Sequence, residues 1–583
     1  MLGARTGRRA LGPLVAVVAM ASAACSAGAV APHGLAHGRH AAPAVGGLGP
    51  ERFARLLGPT DPRGRLEFSV VLRSPRQAAL RRFLDGVNDP ASPLYRRYLS
   101  ALAFGRRFGP RDRDIAKTTR ALGARGLHVV RVFPQRTAMD VSGPVSAVEG
   151  AFHVRMGAFV DRSGRRFMGS LSEPVVPADL RHVVAAVAGL NTGPVPAPFD
   201  IPQGGLTPTD AAKAYDVAPL HDQGIQGQGQ TIAVISFASF RPGDVAEFDR
   251  LAAVQSAPVE QVKVDGGSTE VATKNSDEVN LDLDVVRGVA PQGHIIDYEA
   301  PLTSIRSFST GVSDAIDRVV QDGRADIVSM SWGLCDVARL ADGTPWLSAG
   351  DRLRATRAFQ AAVARGISVF VAAGDAGAYS CQRFDLADHR LTTTWPSDDP
   401  NVISVGGTLL SVRSDGGYLG ETGWEDMLQS AGGGGGLNPV DPRPTYQQGL
   451  GVDNQFSNGK RQVPDVAAVA DPDSGFFAVT PDPQTGRAEP NIVGGTSAAT
   501  PFWAASMLLI KQFAQTQGVG KLGFVDPLLY RIANSAQGPQ AFHDVTLGGN
   551  RFNNCTPGWD YSTGLGSPDV AQLANAILAQ LKS

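Results

Sequence analysis

Apolar and polar positions divide this chain into two stretches of different texture. From residue 48 to 190 short alternating runs mix with amphipathic ones: LEFSVVL, HVVRVF and AMDVSG read as strands, while RQAALRRFLDGV carries its apolar residues at helical spacing. From 207 to 583 the apolar runs lose that alternation, and TIAVISF, HIIDYEA, ADIVSMSW, ISVFVAA and NVISVGG are separated by helical segments such as DRLRATRAFQAAVARG. Strands that are apolar on both faces belong in a parallel sheet covered by helices. The second stretch therefore predicts a doubly wound α/β domain with its active site at the carboxyl ends of the strands. The first predicts a smaller α+β domain. Between them NTGPVPAPFDIPQGGLTPTD, rich in proline and glycine, predicts an exposed linker with a processing site over residues 191–206.

The first 25 residues read as an export signal: Arg5, Arg8 and Arg9 precede an apolar run, Leu11 to Ala24, that is too short to span a bilayer and ends in small residues. The mature protein is expected outside the cytoplasm, secreted. Ser22-Ala23-Ala24-Cys25 is lipobox-like, with Ser where a branched apolar residue is usual, so lipid anchoring at the cell envelope through Cys25 is the alternative and the one route to a membrane. Nothing in a formal net charge of −1 over 583 residues suggests a nucleic-acid or membrane-surface binder. The remaining cysteines fit an exported protein. Cys335 and Cys381 each follow one of two neighbouring parallel strands and are expected to pair at one rim, leaving Cys555 as a buried thiol.

Candidate chemistry starts at GGTSAATP, around Ser497. The glycines allow close backbone approach, and a helix starting near Ser497 with Pro501 in its first turn would aim free N–H groups at a developing oxyanion. This is how subtilisin-like enzymes present a nucleophilic serine, but their other partners are missing. Ser236 stands where their aspartate would end the first core strand, and no His-Gly-Thr-His string exists; His33, His37, His221, His294, His389 and His543 all lack that context. A base is available instead in NSDEVNLDLDVVRGVAP. Glu278 and Asp282, four apart, share one face of a helix, where two carboxylates can share a proton and raise one pKa. Asp375, in VAAGDAG at the end of a strand, occupies the position where an asparagine would donate to the oxyanion. An aspartic acid donates there only while protonated, which points to operation in acid.

Together these residues resemble the sedolisin-type serine-carboxyl peptidases: Glu278 and Asp282 match that family's ExxxD pair, Asp375 its GD aspartate and Ser497 its GTSA serine. SPLYRRYL, VSGPVSAVEGAFHV and PADLRHVVAAVAGL resemble the family's pro-kumamolisin-type activation segment. The resemblance implies a subtilisin-like catalytic domain over 207–583 and a ferredoxin-like prodomain over 48–190, which acts as intramolecular inhibitor and folding aid. Protein and peptide substrates and a monomeric enzyme are implied too. In the implied mechanism Glu278 is the base, Asp282 its orienting partner and Asp375 the oxyanion donor. One structural Ca²⁺ is implied in HDVTLGGNRFNNCTPGWDYSTGLGSPD, held by the carboxylates of Asp544 and Asp560 and the carbonyls of Val545, Thr556 and Gly558. Thr556 stands where the family commonly has glycine. Acid is expected to protonate carboxylates that hold the two parts together, and cutting in or near the linker to release the prodomain. A tripeptidyl-releasing mode, a catalytically silent binding relative and a histidine-dependent hydrolase remain as alternatives.

Overall fold

The computed structural model describes residues 54–161, 166–193, 205–269, 271, 273–338, 345–482 and 485–582. The leader, Cys25 and most of the linker lie outside them. In the first domain, strand β1 (Arg65–Leu72) pairs antiparallel with β3 (Ala138–Pro144) and β4 (Val184–Ala188), and β3 pairs with β2 (His128–Val132). Helices follow β1 and β3, so the order is the split β-α-β-β-α-β of a ferredoxin-like layer. The helix Gln77–Asn88 realises the amphipathic pattern, burying Leu80, Phe83, Leu84 and Val87.

The second domain is built on an eight-stranded sheet, with strands β5 (Thr231–Ser236), β6 (Glu260–Lys263), β7 (His294–Glu299), β8 (Ile327–Met330), β9 (Ser368–Ala372), β10 (Ile403–Val412), β11 (Tyr418–Gly423) and β12 (Val466–Val469). The spatial order is β11-β10-β9-β8-β5-β7-β6, with β12 also pairing β10. Every pairing is parallel except β10 with β11. The five apolar runs became β7 to β10 and β5, and they are buried almost throughout. The chain leaves β5 for β6 and β7 on one side and then crosses to β8 on the other. That reversal opens a crevice at the carboxyl ends of β5 and β8.

Four helices set the site and its surroundings: α1 (Lys274–Val289), α2 (Ile305–Asp322), α3 (Ala349–Arg365) and α4 (Thr496–Thr516). Helix α4 is buried along nearly its whole length, which its apolar sequence requires, and it packs against α1 and the sheet. The first domain docks on α2 and α3. Strand β4 lies so close to α3 that a Cβ on Gly350 would stand 1.9 Å from the Val187 carbonyl oxygen, and the Gly189 N–H donates to Asp351 Oδ1 at 2.7 Å. Phe83 and Phe108 of the first domain belong to the same apolar core as Phe359 of α3, so the two domains share buried surface.

Candidate active site

Ser497 is the second residue of α4, at the carboxyl-end crevice, and is buried. Gly495 before the helix has φ +104°, a conformation open to glycine, and a Cβ there would lie 3.1 Å from Asp375 Oδ2. Because the helix begins at Thr496, Pro501 falls in its second turn and not, as expected from sequence, its first. A proline at this position cannot donate to the carbonyl four residues back, which is that of Ser497. The orphaned carbonyl is met from outside the helix: the Ser331 hydroxyl, just past β8, lies 3.2 Å from it.

The same Ser331 hydroxyl lies 2.5 Å from Asp282 Oδ1, and the Ser497 hydroxyl donates to the Ser331 carbonyl at 3.4 Å. One hydroxyl proton cannot serve both the Asp282 carboxylate and the Ser497 carbonyl. The count closes if Asp282 carries a proton, donates it to Ser331 Oγ, and Ser331 donates onward to the carbonyl. Electrostatics agree. Asp282 is fully buried, and burial first, then the nearby Asp297 charge, push its carboxyl well above the usual range against the lowering effect of the Ser331 bond. Glu278 is buried one turn earlier on α1, so the expected carboxylate pair does share a buried helix.

Asp375 follows β9. Its Oδ1 accepts from the Thr496 N–H at 2.7 Å and the Thr496 hydroxyl at 2.8 Å, which leaves Oδ2 as the oxygen that can carry a proton, 3.5 Å from the Arg383 guanidinium. A cavity of about 350 Å³ joins these groups: Ser497, Ser331, Asp375 and Thr496 line it, and no histidine does. Its wall includes Cys335, which the structure joins to Cys381; Cys555 is a buried thiol.

Three of these residues escaped the sequence reading. Ser331 and Thr496 lie inside quoted strings, ADIVSMSW and GGTSAATP, where the signal was position at a strand end or helix start. Asp297 is a fully buried carboxyl on β7, pushed up to about 8 by burial, and the apolar run HIIDYEA disguised it.

At the carboxyl terminus, Asp544 Oδ2 accepts from the Gly558 N–H at 3.0 Å and Asp560 Oδ2 from the Thr556 N–H at 2.9 Å, so both carboxylates converge on one loop. The carbonyls of Val545, Thr556 and Gly558 accept no hydrogen bond among the described residues, and burial pushes Asp560 up to about 6. Unbonded carbonyls beside a strongly buried carboxylate make an all-oxygen donor set of the kind a hard cation takes, so the residues fit the expected calcium.

Comparison with known proteins follows the same lines. Residues 54–192 match the model of the pro-kumamolisin activation domain, and residues 267–539 that of the subtilase family. The chain is 32% identical to kumamolisin of Bacillus sp. (strain MN-32) over 89% of its length and 93% of that protein. It is 27% identical to sedolisin of Pseudomonas sp. (strain 101), covering 87% and 86% of the two chains, and 26% identical to tripeptidyl-peptidase 1 of Rattus norvegicus, covering 90% and 93%. A solved structure of Pseudomonas sedolisin, a serine-carboxyl proteinase complexed with pseudo-iodotyrostatin, superposes with a TM-score of 0.55 at 26% identity over 65% of this chain and 99% of that one.

Proposed function

Because this chain belongs to the sedolisin family of serine-carboxyl peptidases, prodomain included, we propose that it is a secreted, acid-acting endopeptidase made as a self-processing zymogen. The observation that carries the reading is the hydrogen-bonded line from Asp282 through Ser331 to Ser497 in a cavity without histidine. In the proposed mechanism Glu278 takes the Ser497 proton as Oγ attacks the scissile carbonyl, and protonated Asp375 donates to the oxyanion of the tetrahedral intermediate. Glu278 then passes the proton to the departing amine, leaving an acyl-enzyme. Water attacks in turn, giving its proton to Glu278, which returns it to Ser497 Oγ as the bond to the acyl group breaks and the acid product leaves. Asp282, one turn further along the same helix, is the orienting partner of Glu278 in this reading. An aspartic acid donates only while protonated, Asp282 to Ser331 and Asp375 to the oxyanion, so activity is confined to acid.

Calcium, where bound, would be held by Asp544 and Asp560 with the carbonyls of Val545, Thr556 and Gly558. It would supply charge compensation for the two carboxylates and fix the loop.

The test takes the precursor from neutral pH to about pH 4, beside Ser497→Ala and Glu278→Gln, following chain mass and peptide cleavage. Conversion of wild type alone to a form cut in the 191–206 linker, with acid activity, is expected. A folded wild type that stays inactive even after the prodomain is removed by another protease would establish the silent relative instead.

A further inference from the structure

We propose that the cleft on the far side of Asp375 is a second substrate subsite, which takes a large apolar residue on the leaving-group side of the scissile bond. This rests on the peptidase reading above. Two cavities meet at the site. Asp375, Ala376 and Arg383 line both of them, whereas Ser497 lines only the one already described. The oxyanion residue is thus a ridge between two hollows. A peptide whose scissile carbonyl oxygen reaches Asp375 lies across that ridge in extended form, with successive residues about 3.3 Å apart. The acyl carbon becomes bonded to Ser497 Oγ, so the side chain beside it stays in the hollow that Ser497 lines. The amine half, which departs, lies over the other.

The chemistry of the second hollow, about 520 Å³, is different. Its walls include Trp424, Leu386, Ala431 and Pro472. Leu386 is 66% exposed, and the turn that carries its other wall also exposes Met427 and Leu428, at 67% and 98%. Isolated exposed leucines are ordinary, but an exposed leucine that lines a cleft together with Trp424, Ala431 and Pro472 makes an apolar surface open to a ligand. Two buried polar atoms add a second indication. Trp424 Nε1, a donor, and Gln382 Oε1, an acceptor, have no hydrogen-bond partner among the described residues, although both residues line the cleft and are at least 97% buried. A peptide backbone offers both complements, a carbonyl and an N–H, beside each side chain it delivers. Arg383, 3.5 Å from Asp375 Oδ2 on the ridge that the two hollows share, is the one basic residue in the lining and opposes a Lys side chain there.

Substrates with Phe or Leu just after the scissile bond are therefore expected to be cleaved about ten- to a hundredfold faster, in kcat/KM, than those with Lys there. Occupancy of this subsite also requires a peptide that continues past the cut.

The test compares the acid-activated wild type with Leu386→Asp on two peptide series, one varied only after the scissile bond and one only before it. Leu386→Asp should lose most of the preference for Phe and Leu after the cut and gain on Lys, while the series varied before the cut keeps its ranking. Gain on Lys separates a changed subsite from a poorly folded variant. An unchanged ranking after the cut overturns the proposal, and so does a change confined to the other series, which would place this cleft on the acyl side. Wild type that cleaves neither series overturns the peptidase reading and the proposal with it.

Discussion

Replacing Arg131 with alanine is expected to loosen the prodomain without unfolding it. Arg131 reaches out from β2 to Asp140 on its own sheet at 2.6 Å, and across the domain boundary to Asp265 and Asp314, each at 3.0 Å. Behind it, Arg354 of α3 holds Asp314 at 2.7 Å and Asp317 at 2.6 Å, and the Phe133 ring lies between the two guanidiniums, 4.4 and 4.6 Å from them. Arg306 and Glu67 complete the cluster, so five carboxyls face three guanidiniums. Exposed ion pairs contribute about 0–1 kcal/mol, whereas deleting one partner of a buried pair costs about 3–5. Arg131 is 42% exposed and Asp314 4%, an intermediate case, which puts the loss at about 1–3 kcal/mol, or about 5- to 150-fold in prodomain affinity. The surplus of carboxyls decides the pH dependence. Burial, then the Asp140 charge, holds Asp314 well above the usual range, with Asp265 adding to this and Arg354 opposing it; burial likewise raises Asp317. A carboxyl raised in the docked form stabilises that form below its undocked pKa, and the contribution is lost as pH rises through the docked one. Mild acid therefore tightens this contact. The prediction from this cluster is therefore opposite to release by protonated carboxylates, with cutting of the linker as the releasing step. The assay uses Ser497→Ala precursor nicked in the linker by another protease and follows dissociation on dilution at pH 7.5 and pH 5. Wild type should hold better at pH 5, Arg131→Ala should dissociate faster at both, and Asp314→Asn should flatten the pH dependence. Arg131→Ala within twofold of wild type, or a wild-type complex that falls apart at pH 5, would refute the reasoning.

Ser331→Ala removes the hydroxyl shared by Asp282 and the Ser497 carbonyl, and is expected to lower kcat about tenfold or more with little change in KM and to move the alkaline limb of the pH profile, read from steady-state kinetics at several pH values. Thermal stability should fall as pH rises from 5 to 9: burial raises Asp336 to about 6, Asp398 and Asp399 to about 7 and Asp297 to about 8, so each stabilises the fold in acid and ceases to as pH passes its folded value. Scanning calorimetry across that range checks this; a Tm that climbs toward pH 9 would contradict it. Chelation of the purified protein at pH 7 should lower Tm by several degrees and release about one calcium per chain, read by atomic emission, and Asp560→Asn should abolish both effects.

What could be read from the chain depended on how local each feature was. Apolar runs dictate buried parallel strands, so β5 and β7 to β10 were legible, as was the helix that joins Glu278 to Asp282. GTSA and GD carry their chemistry in neighbouring residues and were equally plain. Features made by tertiary approach were not. Pro501 was visible, yet its consequence, an orphaned Ser497 carbonyl answered by Ser331, needs β8 and α4 side by side. The parallel register of β5 and β7 supplies the last case. Asp297 pairs with Val234 and Glu299 with Ser236, so these two acidic residues share a face with Ser236, the position where an aspartate was missing. The carboxyl absent from the end of the first core strand is thus present on the next one, where Asp297 acts on Asp282 by raising its pKa. A search confined to the end of β5 finds only a serine. The physical requirement was for buried carboxyls near Asp282, and two adjacent strands offer more than one place from which to meet it.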